Sequence, residues 1–552
     1  MLLQNISEKT KKNLKIILVA VIALVLVGLA YIYASQTAVN GQFRWRIIGN
    51  ILSVPGNLEA DIEVAKTSGL SPYTVLFNGA NSTGNIVEYV WDFGSQSSDG
   101  TYPRYDYGRM AGHRFDVVGT HNVTLTVFDD QGNKDSASIQ ISVVNRPSTA
   151  KTYYISPSGN DSADGLSQAT AWQTIDRITL ASTTMTDASQ ILFKKGGTYT
   201  NSDRTWNISK FTRTNPNYIK IGAYGSGDKP VLNLKITTEG AMSDRGIIVE
   251  DIKVLNAIFE IRGMRGGLGN QLQMRNVDIE NGQLVIHRAT GVSVENVTVN
   301  NCPKDAGVSL SGTFDYKDDY VTKRQPTVRL NYLNNLKITN SSSHGIYAAW
   351  LVEDVLIENS TFKDNGLNLD GVVGIRDGIT AHGAIKNLII RNNTFDHNGY
   401  ALGLGAGYND CTGWNKKTQG TPCLGYWLYN PEYLENVIVE NNVFKNQVAW
   451  VFYLAGLLNS TIRNNLVYNN PVQNGGVFTF LLHQDMYKLG FDYDTQNLEI
   501  SHNTFHNNSP QLFLFQDSDV VESLSFKNNI VSNQNGATVS GTVPGLDFGG
   551  NL

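Results

Sequence analysis

Cysteine, charge and long apolar runs are all scarce in this chain, and each scarcity excludes something. Three cysteines in 552 residues, Cys302, Cys411 and Cys423, are too few for a disulfide framework or a cysteine-built metal site. The close pair Cys411 and Cys423 spans a short Gly-, Thr- and Pro-containing stretch, and a disulfide is expected there if the location is oxidising. Charged residues make up only 17%, with 44 basic against 49 acidic and no basic stripe, which argues against nucleic acid as a partner. What is abundant is glycine, with 52 residues, and aromatic side chains, at 10%, a balance that suits turn-rich β structure better than helical bundles. A chain this long exceeds one ordinary core, so several units or a repeat architecture are required.

The one long apolar run, Ile16 to Ala34, is uncharged and about the length needed to cross a hydrocarbon core as a helix. Lys9, Lys11, Lys12 and Lys15 precede it, and a positive flank stays cytoplasmic. The sequence therefore predicts a basic cytoplasmic tail over 1–15, a transmembrane signal anchor over 16–34 and a linker over 35–57, with the rest of the chain at the cell surface. A cleaved signal peptide is the alternative, because Gly28-Leu29-Ala30 offers small residues to a peptidase. Either way the body of the protein lies outside the membrane.

Residues 58–146 run in short alternating strands such as Val123, Leu125 and Val127 against Thr124, Thr126 and Phe128. The residues Val90-Trp91-Asp92-Phe93-Gly94, then His113-Arg114-Phe115, then Gly119 through Val127 with Asp130 and Gly132, resemble the PKD domain family. That resemblance implies an immunoglobulin-like sandwich with Trp91 and Phe93 in its core and a tight turn at Gly94, used as a spacer or carbohydrate-binding module. Asp92 reads as a turn carboxylate rather than a metal ligand.

Beyond the linker Asn145 to Ala150, Tyr153 through Asp161, followed by Gly165, Trp172 and Thr174-Ile175, resembles the opening of pectate-lyase-like β-helix proteins. One pattern then recurs: Ile357-Glu358-Asn359-Ser360-Thr361-Phe362, Ile390-Arg391-Asn392-Asn393-Thr394-Phe395, Val439 to Phe444, Ile462 to Val467, Ile500 to Phe505 and, more weakly, Phe526 to Val531. Intervals of about 22–25 residues, lengthened where loops are inserted, fit one solenoid coil per repeat. The expectation for 150–552 is a right-handed single-stranded parallel β-helix of about ten coils, in a mainly β protein. Its interior would be Ile, Val, Leu and Phe, with asparagines at equivalent turns hydrogen-bonded along the stack.

Insertions cluster on one face of a solenoid, and three stand out: Gly312 to Arg329, Gly407 to Tyr433 with Trp414 and Trp427, and His483 to Gln496. Aromatic platforms mixed with cations and carboxylates suit a sugar polymer, uronate-containing or neutral. The strands feeding these loops align as Lys304-Asp305-Ala306-Gly307-Val308, Ser342-Ser343-His344-Gly345-Ile346-Tyr347 and Ile375-Arg376-Asp377-Gly378-Ile379-Thr380-Ala381-His382. Period-two alternation puts Val308, Ile346 and Ile379 inside and Tyr347, Thr380 and His382 outside. Arg376, Asp377, His382 and His344 are the candidate catalytic groups, with Lys304, Asp305, Tyr347, Trp414 and Trp427 as substrate contacts. Uronate elimination needs a cation or Ca²⁺ on the substrate carboxylate and a base at the α carbon, so Ca²⁺ is the cofactor such a site would use. Glycoside hydrolysis needs a carboxylate pair, Asp377 with Asp370 or Asp305. The family signatures of pectate lyases and polygalacturonases do not match residue by residue, so a non-catalytic adhesin or envelope scaffold stands as the alternative to a lyase or glycosidase.

Overall fold

The computed structural model describes residues 57–551 apart from 182–184, 186–188, 209–217, 239–245, 263–271, 305, 313–327, 350, 368–376, 406–433, 472–475, 481–493, 509–510, 516–520, 533–538, 541–545 and 548. The expected tail, anchor and most of the first linker lie outside the described residues. Among those described, no helix is long and apolar enough to cross a membrane.

Two small sheets make the N-terminal sandwich. One orders Glu63–Val64, Tyr73–Asn78 and Met110–Phe115; the other orders Ser68–Leu70, Lys134–Val144, Gly119–Asp129, Ile86–Asp92 and Tyr105–Tyr107. Alternation drives Phe77, Trp91, Phe93, Phe115, Val123, Leu125 and Val127 into one core. Gly94 turns at φ +78, and its N–H donates to Asp92 Oδ1 at 2.8 Å while Arg104 grips the same carboxylate, so Asp92 is a turn residue.

From Thr152–Ile155 onward the chain coils as a parallel solenoid. A typical coil holds Ile385–Arg391, Thr394–Asp396 and Tyr400–Gly405, each hydrogen-bonded to its counterparts in the coils before and after. The last position forms a sheet of twelve described strands, two more than the expected coil number. The recurring sequence pattern falls into strict register: Ile357, Ile390, Val439, Ile462, Ile500 and Phe526 pair in one column. Phe362, Phe395 and Phe444 stack in another, with ring centroids 4.9 and 4.8 Å apart.

Tandem asparagines do two different jobs at the turn between them. The first, at 392, 441 and 464, and the equivalent Asn359 ahead of Ser360, take a left-handed φ of 53–58°, which asparagine tolerates better than most residues. The second is buried and builds a ladder: Asn393 donates to Asn442 at 3.1 Å, Asn442 to Asn465 at 3.1 Å, Asn465 to Asn503 at 2.9 Å and Asn503 to Asn529 at 3.0 Å. Each of these acceptor oxygens also takes a backbone N–H of the preceding coil, so turn backbone that water cannot reach is satisfied from inside.

The sandwich packs directly against the solenoid. Leu76, Tyr102 and Met110 bury against Tyr332, Leu356 and Ile389, and a Cβ on Gly112 would stand 2.2 Å from the Tyr332 ring. Glu295 accepts from the Thr74 hydroxyl at 2.5 Å and the Tyr102 hydroxyl at 2.6 Å; Arg391 donates to Glu358 at 2.5 Å and to Asp106 at 2.8 Å. Arg329, expected at the end of an insertion, is instead part of the strand Val328–Thr339 and pairs with Asp354 at 2.7 Å and Glu63 at 3.0 Å. Gln496 likewise opens the strand Gln496–Ser501 rather than closing a loop.

Candidate functional site

The twelve-stranded sheet belongs to a different side of each coil from the strands that receive the sandwich. Its inner column runs through Leu284, Val308, Ile346, Ile379, Leu402, Phe452, Phe478 and Phe513, so the aligned inward residues are correctly placed. The outer column runs Val285, Ser309, Tyr347, Thr380, Gly403, Tyr453 and Thr479. Segments 313–327, 406–433 and 481–493 begin just beyond Val308–Ser311, Tyr400–Gly405 and Gly476–Phe480, three strands of this one sheet.

His344 and Asp377 each stand one residue before a glycine that turns inward, because a Cβ on Gly345 or Gly378 would strike Phe362 or Phe395 in the core. Thr380 Oγ1 lies against Asp377 Oδ2 and 2.8 Å from His344 Nδ1. The backbone N–H of Asp377 points at the same Nδ1 from 3.4 Å. Gly403, on the next strand, keeps room for the carboxyl: a Cβ there would come within 2.1 Å of Asp377 Oδ2. Asp377 Oδ1 has no hydrogen-bond partner among the described residues. Burial pushes the carboxyl up to about 7, against the Thr380 hydrogen bond that pulls it down, so much of it is a neutral acid at pH 7. Burial moves His382 the other way, down to about 4, and keeps it a neutral imidazole.

Half-buried aromatic rings border this cluster. Tyr347 stands between the histidines, its ring centroid 5.5 Å from His344 and 4.8 Å from His382. One coil beyond Asp377, Tyr400 stacks on Trp450 at 4.9 Å and 8°, and Trp450 stacks on Tyr453 at 5.5 Å and 16°. The structure thus joins Asp377, His344, His382 and Tyr347. Lys304 is exposed at the turn before Val308–Ser311, where its carbonyl accepts from Cys302 Sγ at 3.0 Å, and it does not enter the cluster. Arg376, Asp305, Trp414, Trp427, Cys411 and Cys423 lie outside the described residues, as does Asp370.

Thr380 as a bridging hydroxyl and the platform of Tyr400, Trp450 and Tyr453 were not singled out from the sequence. Carrying the strand alignment two coils further places Tyr453 in the outer column opposite Gly403 and pairs Tyr400 with Asp377, while Trp450 precedes its strand and is not reached by the alternation. Among the described residues no group of three or more His, Cys, Asp or Glu side chains is placed to hold a metal. The described residues of this cluster offer one carboxyl, fewer than the several charged oxygens that Ca²⁺ requires, so no step here is routed through that ion.

Residues 60–143 match the PKD domain family, and residues 269–481 and 424–552 match the right-handed β-helix region family. The pre-pro-metalloprotease PrtV of Vibrio cholerae serotype O1 is 37% identical over 79 residues, 14% of this chain and 8% of that protein's length. Similar solved structures include the GH136 lacto-N-biosidase from Eubacterium ramulus, at 13% identity and TM-score 0.35, covering 72% of this chain and 68% of that one. Pectate lyase Pel9A gives 16% identity and TM-score 0.32, over 72% of this chain and 79% of that one. The GH87 α-1,3-glucanase from Streptomyces thermodiastaticus gives 12% identity and TM-score 0.36, over 86% and 89%. Likeness at this level does not speak to the reaction.

Proposed function

The chain belongs to the right-handed β-helix family, with a PKD domain ahead of its solenoid, and from that premise we propose that it binds and cleaves a polysaccharide on the outer face of the twelve-stranded sheet. The observation that carries the proposal is the Asp377 carboxyl, shielded and with its proton affinity raised by burial, beside the stacked rings of Tyr400, Trp450 and Tyr453. Sugar rings present apolar faces that stack on such platforms, while their hydroxyls and carboxylates need polar partners at the edge. A carboxylic acid can protonate the leaving glycosidic oxygen, which helps both hydrolysis and elimination. A base or second carboxylate is still required, and Arg376, Asp305 and Asp370 are the candidates for it. The anchor at 16–34 would hold this face outside the cell.

The test is incubation of the chain with uronate-containing and neutral polysaccharides, with and without Ca²⁺. Unsaturated ends absorbing in the ultraviolet identify a lyase, and new reducing ends without that absorbance identify a glycosidase. Trp450→Ala should weaken binding of the responsive polymer. Binding with neither product supports a non-catalytic adhesin or scaffold, a reading favoured by the burial of Asp377, His344 and His382. No binding to any polymer overturns both.

A further inference from the structure

We propose that Lys235, Arg262 and His287 form a subsite for an oxyanion carried by a glycan, a carboxylate or a sulfate ester, near the N-terminal end of the twelve-stranded sheet. The inference rests on the reading of this face as polysaccharide-binding, and it adds the charge of the polymer. The three side chains come from successive strands of that sheet, Lys235–Thr237, Ile258–Arg262 and Gln283–His287. Alternation buries Phe259 and Ile261 in the core and turns Ile258, Glu260 and Arg262 to the outer side. Register then sets Glu260 beside Thr237, and Arg262 beside His287.

Glu260 is the post that positions the two cations. It is buried, and it accepts from Lys235 Nζ at 2.8 Å, from Arg262 Nε at 2.5 Å and from the Thr237 hydroxyl at 3.3 Å. Burial alone would raise its pKa, but the bonds from Lys235 and Arg262 outweigh it and hold the carboxyl below its ordinary range, as an anion. Either cation alone would neutralise that carboxylate, so the pair leaves one positive charge in excess. Arg262 meets Glu260 through Nε, its two Nη groups make no hydrogen bond among the described residues, and its side chain is 49% exposed. An Nη pair presented in this way is a fork that matches the two oxygens of a carboxylate or sulfate. Ile258, exposed on the same side, and Gln283 in register with it offer a sugar ring one apolar contact and one amide.

His287, half-buried and 2.5 Å through Nδ1 from the Ser311 hydroxyl of the following strand, reports on this charge. Burial and then the neighbouring Arg262 lower its pKa from the ordinary 6.5; Arg288 adds to the effect, while Glu260 and Ser311 oppose it. Among the described residues these are the groups that act on the ring. An oxyanion seated on Arg262 offsets the guanidinium charge and raises the histidine's pKa. By linkage the imidazolium holds the oxyanion more tightly, so affinity rises as pH falls through the histidine's range. Glu260, Val285, Ser309, Tyr347 and Thr380 share one outer column, so four strand spacings, roughly 19 Å, separate this subsite from the Asp377 cluster. A single sugar cannot touch both.

The experiment titrates the full chain with trigalacturonate, a sulfated galactose trisaccharide and neutral maltotriose at fixed ionic strength. The His287 ring is followed by ¹⁵N-histidine NMR, with His287→Gln to assign its signal. An anionic oligomer should raise the His287 pKa by roughly half a pH unit or more, and maltotriose should leave it unchanged. Arg262→Gln should weaken binding of that oligomer roughly tenfold or more and abolish the shift, and Lys235→Gln should weaken it independently. A response to the carboxylate, to the sulfate ester or to both supports the subsite and names its anion. No shift with either anion, an equal shift with maltotriose, or an undiminished shift in Arg262→Gln overturns it. If the oligomer seats here but no polymer is bound or cleaved, the proposed function fails and the subsite stands. If a polymer is cleaved equally by wild type and Arg262→Gln with no shift at His287, the function stands and the subsite fails.

Discussion

Glu358 and Asp377 are carboxyls of one coil, both shielded from water, and their surroundings are opposite. Glu358 faces the sandwich, accepts from the Tyr332 hydroxyl at 2.6 Å and from Arg391 at 2.5 Å, and Arg391 is in turn shared with Asp106. Asp377, on the twelve-stranded sheet, has one hydroxyl neighbour, one oxygen without a described partner and no described cation. A buried polar atom left unsatisfied costs about 1–3 kcal/mol, so the second arrangement is poor scaffolding. It is the kind of environment in which a carboxylic acid is kept protonated for use. The sandwich differs from a loose spacer for the same reason: its interface with the solenoid is a satisfied polar core around Glu295 and Glu358.

The sharpest way to break this contrast is Arg391→Ala. It leaves Glu358 and Asp106 buried without their cation and should cost about 3–5 kcal/mol in equilibrium unfolding. A loss within experimental error would mean that the interface cluster is not the scaffold it resembles. Next in size is the pH dependence of Asp377. Its folded pKa, about 7, lies above the ordinary 3.8, so the folded state holds the proton more tightly and stability is lost as pH rises between those values. Asp377→Asn has no such loss and should gain on the wild type by up to about 1.4 kcal/mol per pH unit in that window. His382, lowered from 6.5 to about 4, acts with the opposite sign: its contribution is lost as pH falls through that range, in wild type and variant alike. Denaturation midpoints at pH 4.5 and 7.5 separate the two.

Smaller effects divide the tandem asparagines. Asn465→Ala removes the ladder bonds to Asn503 and Val439 and should cost about 1–3 kcal/mol. Asn464→Ala keeps the ladder and only places a less tolerant residue at φ +55, for roughly 1 kcal/mol. Equal losses at the two positions would remove the distinction between conformational and hydrogen-bonding asparagines.

Much of the fold was legible because a stacked coil writes its register into the sequence. The repeated Ile and Phe positions identify the interior columns, and the recurring asparagines mark the turns. The PKD motif likewise located Trp91, Phe93 and the Gly94 turn. Less legible was the docking of the sandwich, since Thr74, Tyr102 and Glu295 are far apart in sequence and carry no joint pattern. The candidate cluster was half legible: aligning the strands gathered Asp377, His344, His382 and Tyr347, all on two of the three aligned segments. It could not reveal that Gly403 makes room for a carboxyl or that Thr380 bridges two groups on different coils. Those facts depend on side-chain directions across strands, which period-two alternation does not specify.

The central claim, that the unsatisfied carboxyl on the twelve-stranded sheet is the working group, is tested most directly by assaying Asp377→Asn beside wild type on a responsive polysaccharide, with unfolding of both followed at pH 5. The account predicts at least a ~10²-fold loss of product formation with an unfolding midpoint no lower than that of wild type. Wild-type turnover by Asp377→Asn, or a loss of activity that merely follows a loss of stability, would contradict it.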